Sequence, residues 1–245
     1  MPFGKSTGTI KGYILSVAAS GSLLTNHAGF RVSFEGTSFS TVSDSAGMWF
    51  ISDVPAGTYT IIYEKDSFAT IKTYSNKFVG METLLVPLQR LYKILYLSVL
   101  YDSITFKRDT GRIVDSLKLN SYTWSLSFKT FLNNKLYGKP YQTPFILILI
   151  GKEKNISAND PTTYSFWINS DYPITDTNSE SAMIFSGDIL SNGMDLRKGD
   201  SFYIVIYAGG WSAQYAFYPD LKTSRPIYSG YSPYHSEIIK VIMPL

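Results

Sequence analysis

Short runs of apolar residues recur along the whole chain, bounded by glycine, proline, asparagine, aspartate and serine. Alternation with a period of two is typical of strands, and long stretches with the 3.6-residue period of an amphipathic helix are hard to find. The pattern therefore predicts an all-β chain. A first group of predicted strands covers residues 9–17, 30–35, 40–43, 48–54, 57–65, 70–75 and 82–88. A second group covers residues 92–101, 116–119, 123–128, 144–150, 164–168, 182–186, 201–207, 214–217 and 237–243.

Two short segments of the first group are predicted to be turns that join strands. In the segment 44–47, Asp44 can accept hydrogen bonds from its own turn backbone, and Gly47 can adopt a positive φ. In the segment 55–57, Pro55 fixes φ and Gly57 gives conformational freedom. Both segments therefore favour reversal of the chain at these points.

The two groups of strands predict two domains. A strand ends near residues 87–91, and a new apolar run begins almost at once. Because short strands bury their apolar faces most simply in two packed sheets, each group is predicted to form a β-sandwich. The predicted organisation is a tether at residues 1–7, a first β-sandwich at 8–89 and a second at 90–245.

Composition and charge exclude several classes of protein. Apolar residues make up 44% and aromatic residues 16% of the chain, which is enough for a packed core and unlike a disordered segment. The net charge of +3, from 22 basic and 19 acidic residues, does not indicate a nucleic-acid partner. With no cysteine, disulfides and thiol chemistry are excluded. The most apolar run, 145–150, is much shorter than the roughly 20 residues of a spanning helix.

The first 90 residues carry a series of motifs in a recognisable order. They are GYI at 12–14, GFRV at 29–32, SDSAG at 43–47, WFI at 49–51, VPAGTY at 54–59 and DSFA at 66–69. This series resembles the carboxypeptidase regulatory-like domain, a transthyretin-like β-sandwich. Ser43 replaces the usual threonine, and the segment 20–29 is longer and lacks the usual proline.

This resemblance implies a non-catalytic accessory domain of an exported protein. Such domains are common in lipoproteins and receptor extensions of Gram-negative bacteria. The expected location is therefore the bacterial outer membrane or cell surface, with the periplasm as an alternative. No export signal is visible at the start of the sequence, so membrane attachment is expected only through an N-terminal lipid anchor that this sequence does not contain.

The second predicted domain is similar to a known fold only over residues 194–208. That segment resembles the corner and penultimate strand of a fibronectin type III-like sandwich. Lys198 stands where proline is usual, and Phe202 replaces the tyrosine whose hydroxyl bonds the corner. The prediction for this domain is an immunoglobulin-like, fibronectin-like or related sandwich.

Catalytic and metal-binding motifs are sparse. The two histidines, His27 and His235, lie in different predicted domains, and no serine-nucleophile elbow or phosphate-binding glycine loop occurs. No metal and no cofactor is therefore predicted. The segment 176–180 has alternating oxygen ligands but lacks the glycine and distal glutamate of a calcium loop. Asp160, Asp171 and Asp176 could pair as the acid and base of a glycosidase, but that chemistry depends on the distance between the carboxylates, which a sequence does not give.

The feature that most suggests ligand binding is the aromatic-rich segment from Trp211 to Tyr234. Flat rings with a polar handle, set among glycine and proline, can stack on sugars or anchor a protein interface, although they can equally cover the end of a core. Asn155 begins a glycosylation tripeptide, which arises easily by chance. The candidate ligand-binding residues are Trp211, Tyr215, Tyr218, Arg225, Tyr228, Tyr231 and Tyr234.

The sequence thus predicts a non-enzymatic cell-surface binding or adhesion protein whose partner is a glycan or a surface protein. One alternative is an assembly subunit of an outer-membrane receptor or fimbria-like complex, joined by strand addition. A glycan-active enzyme that uses the loop aspartates is the third and least favoured alternative.

Overall fold

A computed structural model describes residues 6–108, 122–132, 145–159, 164–169, 179–186 and 199–242. The described chain is built almost entirely of strands, and the all-β prediction is confirmed. Its residues cluster into two units. Unit 1 comprises Met1–Leu95, Ser212–Pro219 and Tyr228–Gly230; unit 2 comprises Tyr96–Trp211, Asp220–Ile227 and Tyr231–Leu245. The domain boundary between residues 89 and 90 stays a prediction. Among the described residues, no helix is long and apolar enough to cross a membrane.

Unit 1 contains eight strands from the first part of the chain and β15 from near its end. They are β1 (Thr7–Val17), β2 (Arg31–Phe34), β3 (Ser40–Val42), β4 (Met48–Pro55), β5 (Gly57–Glu64), β6 (Ile71–Phe78), β7 (Thr83–Leu85), β8 (Gln89–Tyr92) and β15 (Phe217–Pro219). One sheet has the order β4-β1-β7, with β8 also pairing with β1, and the other has the order β3-β2-β5-β6. β4 pairs antiparallel with β1, whereas β7 and β8 pair parallel with it.

The side chains between these two sheets form one core. Ile10 and Ile14 of the first sheet and Phe34, Ile61 and Tyr63 of the second are at most 1% exposed. Alternation explains this arrangement, because every second residue of a strand points to the same face. Two sheets that share a core make unit 1 a β-sandwich.

Gly12 of β1 allows Trp49 of β4 to pack directly over the backbone. A Cβ at Gly12 would lie 2.7 Å from Val86 Cγ2 and 2.9 Å from Trp49 Cζ2. The indole of Trp49 is 1% exposed, and its ring centroid lies 5.9 Å from that of Tyr63. The glycine of the GYI motif is therefore required by packing.

The predicted turn at 44–47 is present and has the expected mechanism. Asp44 Oδ1 accepts a hydrogen bond of 2.8 Å from Met48 N, and Gly47 has a φ of 82°. At 55–57 the mechanism differs from the prediction. Gly57 does not adopt a positive φ; a Cβ there would lie 3.1 Å from the Tyr59 hydroxyl, which donates to Pro55 O.

Unit 2 is built around two further sheets. Its strands are β9 (Leu97–Arg108), β10 (Tyr122–Leu132), β11 (Phe145–Gly151), β12 (Tyr164–Asn169), β13 (Ser179–Ser186), β14 (Ser201–Gly209) and β17 (Ile239–Ile242). The sheet orders are β13-β10-β9 and β12-β11-β14-β17. Residues 146–150 of β11 have no exposed surface, as expected of a continuous apolar run that is covered on both faces.

Most predicted strands are found with shifted ends, and one is wrong. Residues 214–217 do not form a strand: Trp211–Tyr215 form a 3₁₀ helix, and β15 begins only at Phe217. The strand predicted at 92–101 begins later, as β9. The short strands β8 and β16 (Pro226–Tyr228) were not predicted. The strand predicted at 116–119 lies outside the described residues.

Candidate ligand-binding surface

The predicted aromatic segment forms a 3₁₀ helix followed by a β-hairpin. The helix spans Trp211–Tyr215, and strands β15 and β16 pair with each other. We call residues 216–230 the aromatic hairpin. Its turn is fixed by Asp220, whose Oδ1 accepts hydrogen bonds from Lys222 N (3.0 Å) and from Thr223 N and Oγ1 (2.8 and 2.9 Å). The bonds from Thr223 are the main reason why the pKa of Asp220 lies below its ordinary value.

Ser229 fixes the base of the hairpin within unit 1. Its hydroxyl lies 2.7 Å from Thr70 O, just before β6, and 3.2 Å from Ala216 O. The backbone N–H groups of Ser229 and Gly230 both donate to Ala216 O. A Cβ at Gly230 would overlap the Cβ of Ala216, so only glycine allows the two ends of the hairpin to approach this closely. The base of the hairpin is consequently held by backbone geometry as well as by side chains.

Two aromatic side chains near this base are partly exposed, and each packs against a second ring. Tyr215 is 47% exposed, and its ring centroid lies 6.0 Å from that of Tyr92, with an angle of 32° between the planes. Phe217 is 42% exposed and lies 6.3 Å from the ring of Tyr228, which is only 6% exposed. Burial raises the pKa of Tyr92 above its ordinary value. We call Tyr215 and Phe217, with Tyr92 and Tyr228 behind them, the aromatic surface.

A charged group accompanies the aromatic hairpin. Lys72 of β6 places its Nζ 5.9 Å from the ring centroid of Tyr218, and the same Nζ lies 2.6 Å from Glu35 Oε1. The hydrogen bond to Glu35 raises the pKa of Lys72. Because neighbouring residues of a strand point to opposite sides, Tyr218 faces away from Phe217. The hairpin therefore has an aromatic–cation contact on one side and the exposed ring of Phe217 on the other.

The structure divides the seven predicted residues between the two units. Tyr215, Tyr218 and Tyr228 belong to unit 1, whereas Trp211, Arg225, Tyr231 and Tyr234 belong to unit 2. Tyr228 and Tyr231 are 6% and 4% exposed, so their rings lie in the packed interior. Arg225 is half-buried, and Tyr234 is 51% exposed, with its ring centroid 6.2 Å from that of Tyr96. The side chain of Trp211 lies outside the described part of the structure.

The other candidate residues have mainly structural contacts. His27 Nδ1 accepts a hydrogen bond of 3.0 Å from Ser16 N. His235 Nδ1 lies 2.6 Å from Ser236 O, and the Ser236 hydroxyl donates to Glu237 O. Within the described ranges, no group of three or more His, Cys, Asp or Glu side chains could hold a metal ion. Asp160, Asp171 and Asp176 lie outside those ranges.

Sequence reasoning missed four residues at the aromatic surface and beside the hairpin. They are Phe217, Tyr92, Lys72 and Glu35. Tyr92 and Lys72 lie far from the hairpin in sequence, and neither belongs to a motif that signals binding. Side-chain packing between segments distant in sequence brings them to this place, so no local pattern could have identified them.

Comparisons with known proteins give solved structures only. No protein-family model matches the chain, and no curated protein matches it. A chain of a type II cohesin–X-dockerin complex from Acetivibrio cellulolyticus is 31% identical over 36% of this chain and 59% of its own length, with a TM-score of 0.30. This chain therefore covers less than two thirds of that one.

Two other structures match over almost the full length. A candidate carbohydrate-binding protein from Bacteroides uniformis is 15% identical over 96% of this chain and 98% of its own, with a TM-score of 0.28. A DUF3823 family protein from Bacteroides ovatus is 10% identical over 97% of this chain and 99% of its own, with a TM-score of 0.29. At these TM-scores the likeness assigns neither a family nor a function to this chain.

Proposed function

We propose that this chain is a non-catalytic, exported binding protein and that it binds a glycan through the aromatic surface of unit 1. The observation that carries the proposal is that Tyr215 and Phe217 are both partly exposed and are both held against a second ring. A ring that is already fixed loses little entropy when a ligand stacks on it. The exported location is part of the proposal and follows from the family resemblance of the first 90 residues.

The size and chemistry of the aromatic surface favour a sugar over a protein. A stable protein interface buries about 800 Å² on each partner, which is much more than two half-exposed rings offer. A sugar ring has an apolar C–H face, which suits an aromatic ring, and hydroxyl groups at its edge.

The test is binding of the purified chain to a glycan array, beside a Tyr215→Ala, Phe217→Ala double variant. Loss of both rings is expected to weaken binding to any glycan hit at least about tenfold, equivalent to about 1.4 kcal/mol. Tyr234→Ala is the matched control, since Tyr234 is exposed to a similar degree, 51%, and packs against Tyr96 in unit 2. Equal loss in Tyr234→Ala, or no glycan bound by the wild type, would overturn the proposal.

The non-catalytic part of the proposal has its own test. A bound oligosaccharide is incubated with the protein and its chain length is followed by mass spectrometry. We expect the length to remain unchanged over many hours. Shorter products that accumulate in proportion to protein concentration would instead indicate a glycan-active enzyme.

A further inference from the structure

The sheet that contains β1 has one face turned away from the core of unit 1. Along β1, Ile10, Gly12 and Ile14 are buried, so Lys11 and Tyr13 point to the opposite face. Strand pairing places Phe50 and Leu85 on either side of Lys11, Met48 beside Tyr13, and Arg90 beside Leu15. We call this the outer face; its residues are Lys11, Tyr13, Met48, Phe50, Leu85 and Arg90.

The apolar side chains of the outer face are exposed. Tyr13 is 41%, Met48 38%, Phe50 56% and Leu85 58% exposed. Single exposed apolar residues are common, but four that are neighbours on adjacent strands form a contiguous patch. A contiguous apolar patch with polar groups around it is typical of a protein interaction site.

The charges of the outer face are all of one sign. Lys11 lies between Phe50 and Leu85, and Arg90 lies at the β8 end of the patch. Neither side chain has a hydrogen bond or an ion pair with a described residue. Three carboxylates lie at the margin of the patch. Asp44 accepts a hydrogen bond from Met48 N, and Asp53 and Glu82 belong to the end of the sheet where β1 begins, level with Gly8 and Thr9.

We propose that the outer face docks a protein partner whose contact surface combines apolar side chains with carboxylates. Carboxylates of the partner would neutralise Lys11 and Arg90, and its apolar side chains would cover Tyr13, Phe50 and Leu85. A second copy of this chain is disfavoured, because each of two identical outer faces would bring two cations, Lys11 and Arg90, against a single carboxylate, Asp44 beside Met48. An anionic membrane is also disfavoured, since basic segments that bind lipid headgroups carry roughly four to eight lysines or arginines.

A displayed library of random 12-residue peptides tests the proposal with the full chain as bait. Peptides selected by the wild type are expected to be rich in Asp or Glu together with apolar residues. Their affinity is expected to fall at least tenfold in a Lys11→Glu, Arg90→Glu variant and in Phe50→Ser. Lys77→Glu is the matched control, because Lys77 is an exposed lysine on β6 of the other sheet, and it is expected to bind like the wild type.

Several results would overturn the proposal. They are no enriched peptide, enrichment without acidic residues, or equal loss in Lys77→Glu. Binding to vesicles that contain 30% phosphatidylglycerol, lost in the Lys11→Glu, Arg90→Glu variant while peptides fail to bind, would assign the face to a membrane. Dimerisation of the wild type in sedimentation analysis that Phe50→Ser abolishes would assign it to a second copy. Phe50 lies on β4 and belongs neither to the aromatic hairpin nor to the rings of the aromatic surface, so glycan binding by the Phe50→Ser variant distinguishes failure here from failure of the proposed function.

Discussion

Substitution of Gly12 by alanine tests the packing of unit 1 most directly. The new Cβ would lie 2.7 Å from Val86 Cγ2 and 2.9 Å from Trp49 Cζ2, whereas carbon atoms in contact are normally about 3.5–4.0 Å apart. Both neighbours are buried, at 5% and 1% exposure, so each must move by about 1 Å within a packed core. Overpacking of this kind costs about 1–3 kcal/mol, and the gain from replacing a strand glycine offsets less than about 1 kcal/mol of it. We expect a net loss of about 2 kcal/mol.

Amide hydrogen exchange measures this loss in unit 1 alone. Peptides from β2 and β5, which contain core residues, should exchange about 30-fold faster in Gly12→Ala, since each 1.4 kcal/mol corresponds to a factor of ten. A second experiment is a double-mutant cycle that combines Gly12→Ala with Val86→Ala, which removes Val86 Cγ2, the atom nearest to the new Cβ. If steric overlap is the cause, the double variant should be at least about 1 kcal/mol more stable than the sum of the two single losses predicts.

Additive losses would refute this explanation. Sites that do not share a contact add within about 0.5 kcal/mol, so a coupling energy below that value would mean that the Cβ does not meet Val86. Gly36→Ala is the control for a glycine that has no neighbouring atoms. Its φ is 74° and nothing lies within 4 Å of the position that a Cβ would take, so its cost should come from backbone strain and should not change with Val86→Ala.

Three further predictions concern single side chains. Asp44→Ala removes the acceptor of Met48 N and should destabilise unit 1 by about 1 kcal/mol, measured by thermal unfolding. Ser229→Ala removes the hydroxyl bonded to Thr70 O, so amides of the aromatic hairpin should exchange faster while those of β1 stay unchanged. Burial raises the pKa of Tyr63, so its contribution to stability is complete below pH about 10 and is lost as pH rises above that value. Between pH 9 and pH 11, roughly one unit either side of the ordinary tyrosine pKa, the free energy of unfolding measured in urea should therefore fall less in Tyr63→Phe than in the wild type. An equal fall in both proteins would contradict this reasoning.

Strands with a regular alternation could be predicted from the sequence, because their burial is a local consequence of the period of two. In β5, Ile61 and Tyr63 alternate with Thr60, Ile62 and Glu64, and both enter the core, as the period of two predicts for one face of a strand. The segment 214–217 has similar residues but forms the end of a 3₁₀ helix and the start of β15. Its conformation depends on Ser229 and Gly230, which bring the two ends of the hairpin together, and a strand propensity does not include such contacts.

The candidate site shows why aromatic residues alone predict binding poorly. An aromatic side chain supplies a large apolar surface whether it faces a core or a ligand, so composition cannot separate Tyr228, at 6% exposure, from Tyr215, at 47%. The structure makes the distinction through pairing: Tyr228 lies behind Phe217, and Tyr92 lies beside Tyr215. The buried ring of Tyr228 thus supports the exposed ring of Phe217, and the half-buried ring of Tyr92, on β8, supports that of Tyr215. Removal of Tyr228 should weaken glycan binding and cost much stability, whereas removal of Phe217, which is 42% exposed, should weaken binding with a smaller loss of stability.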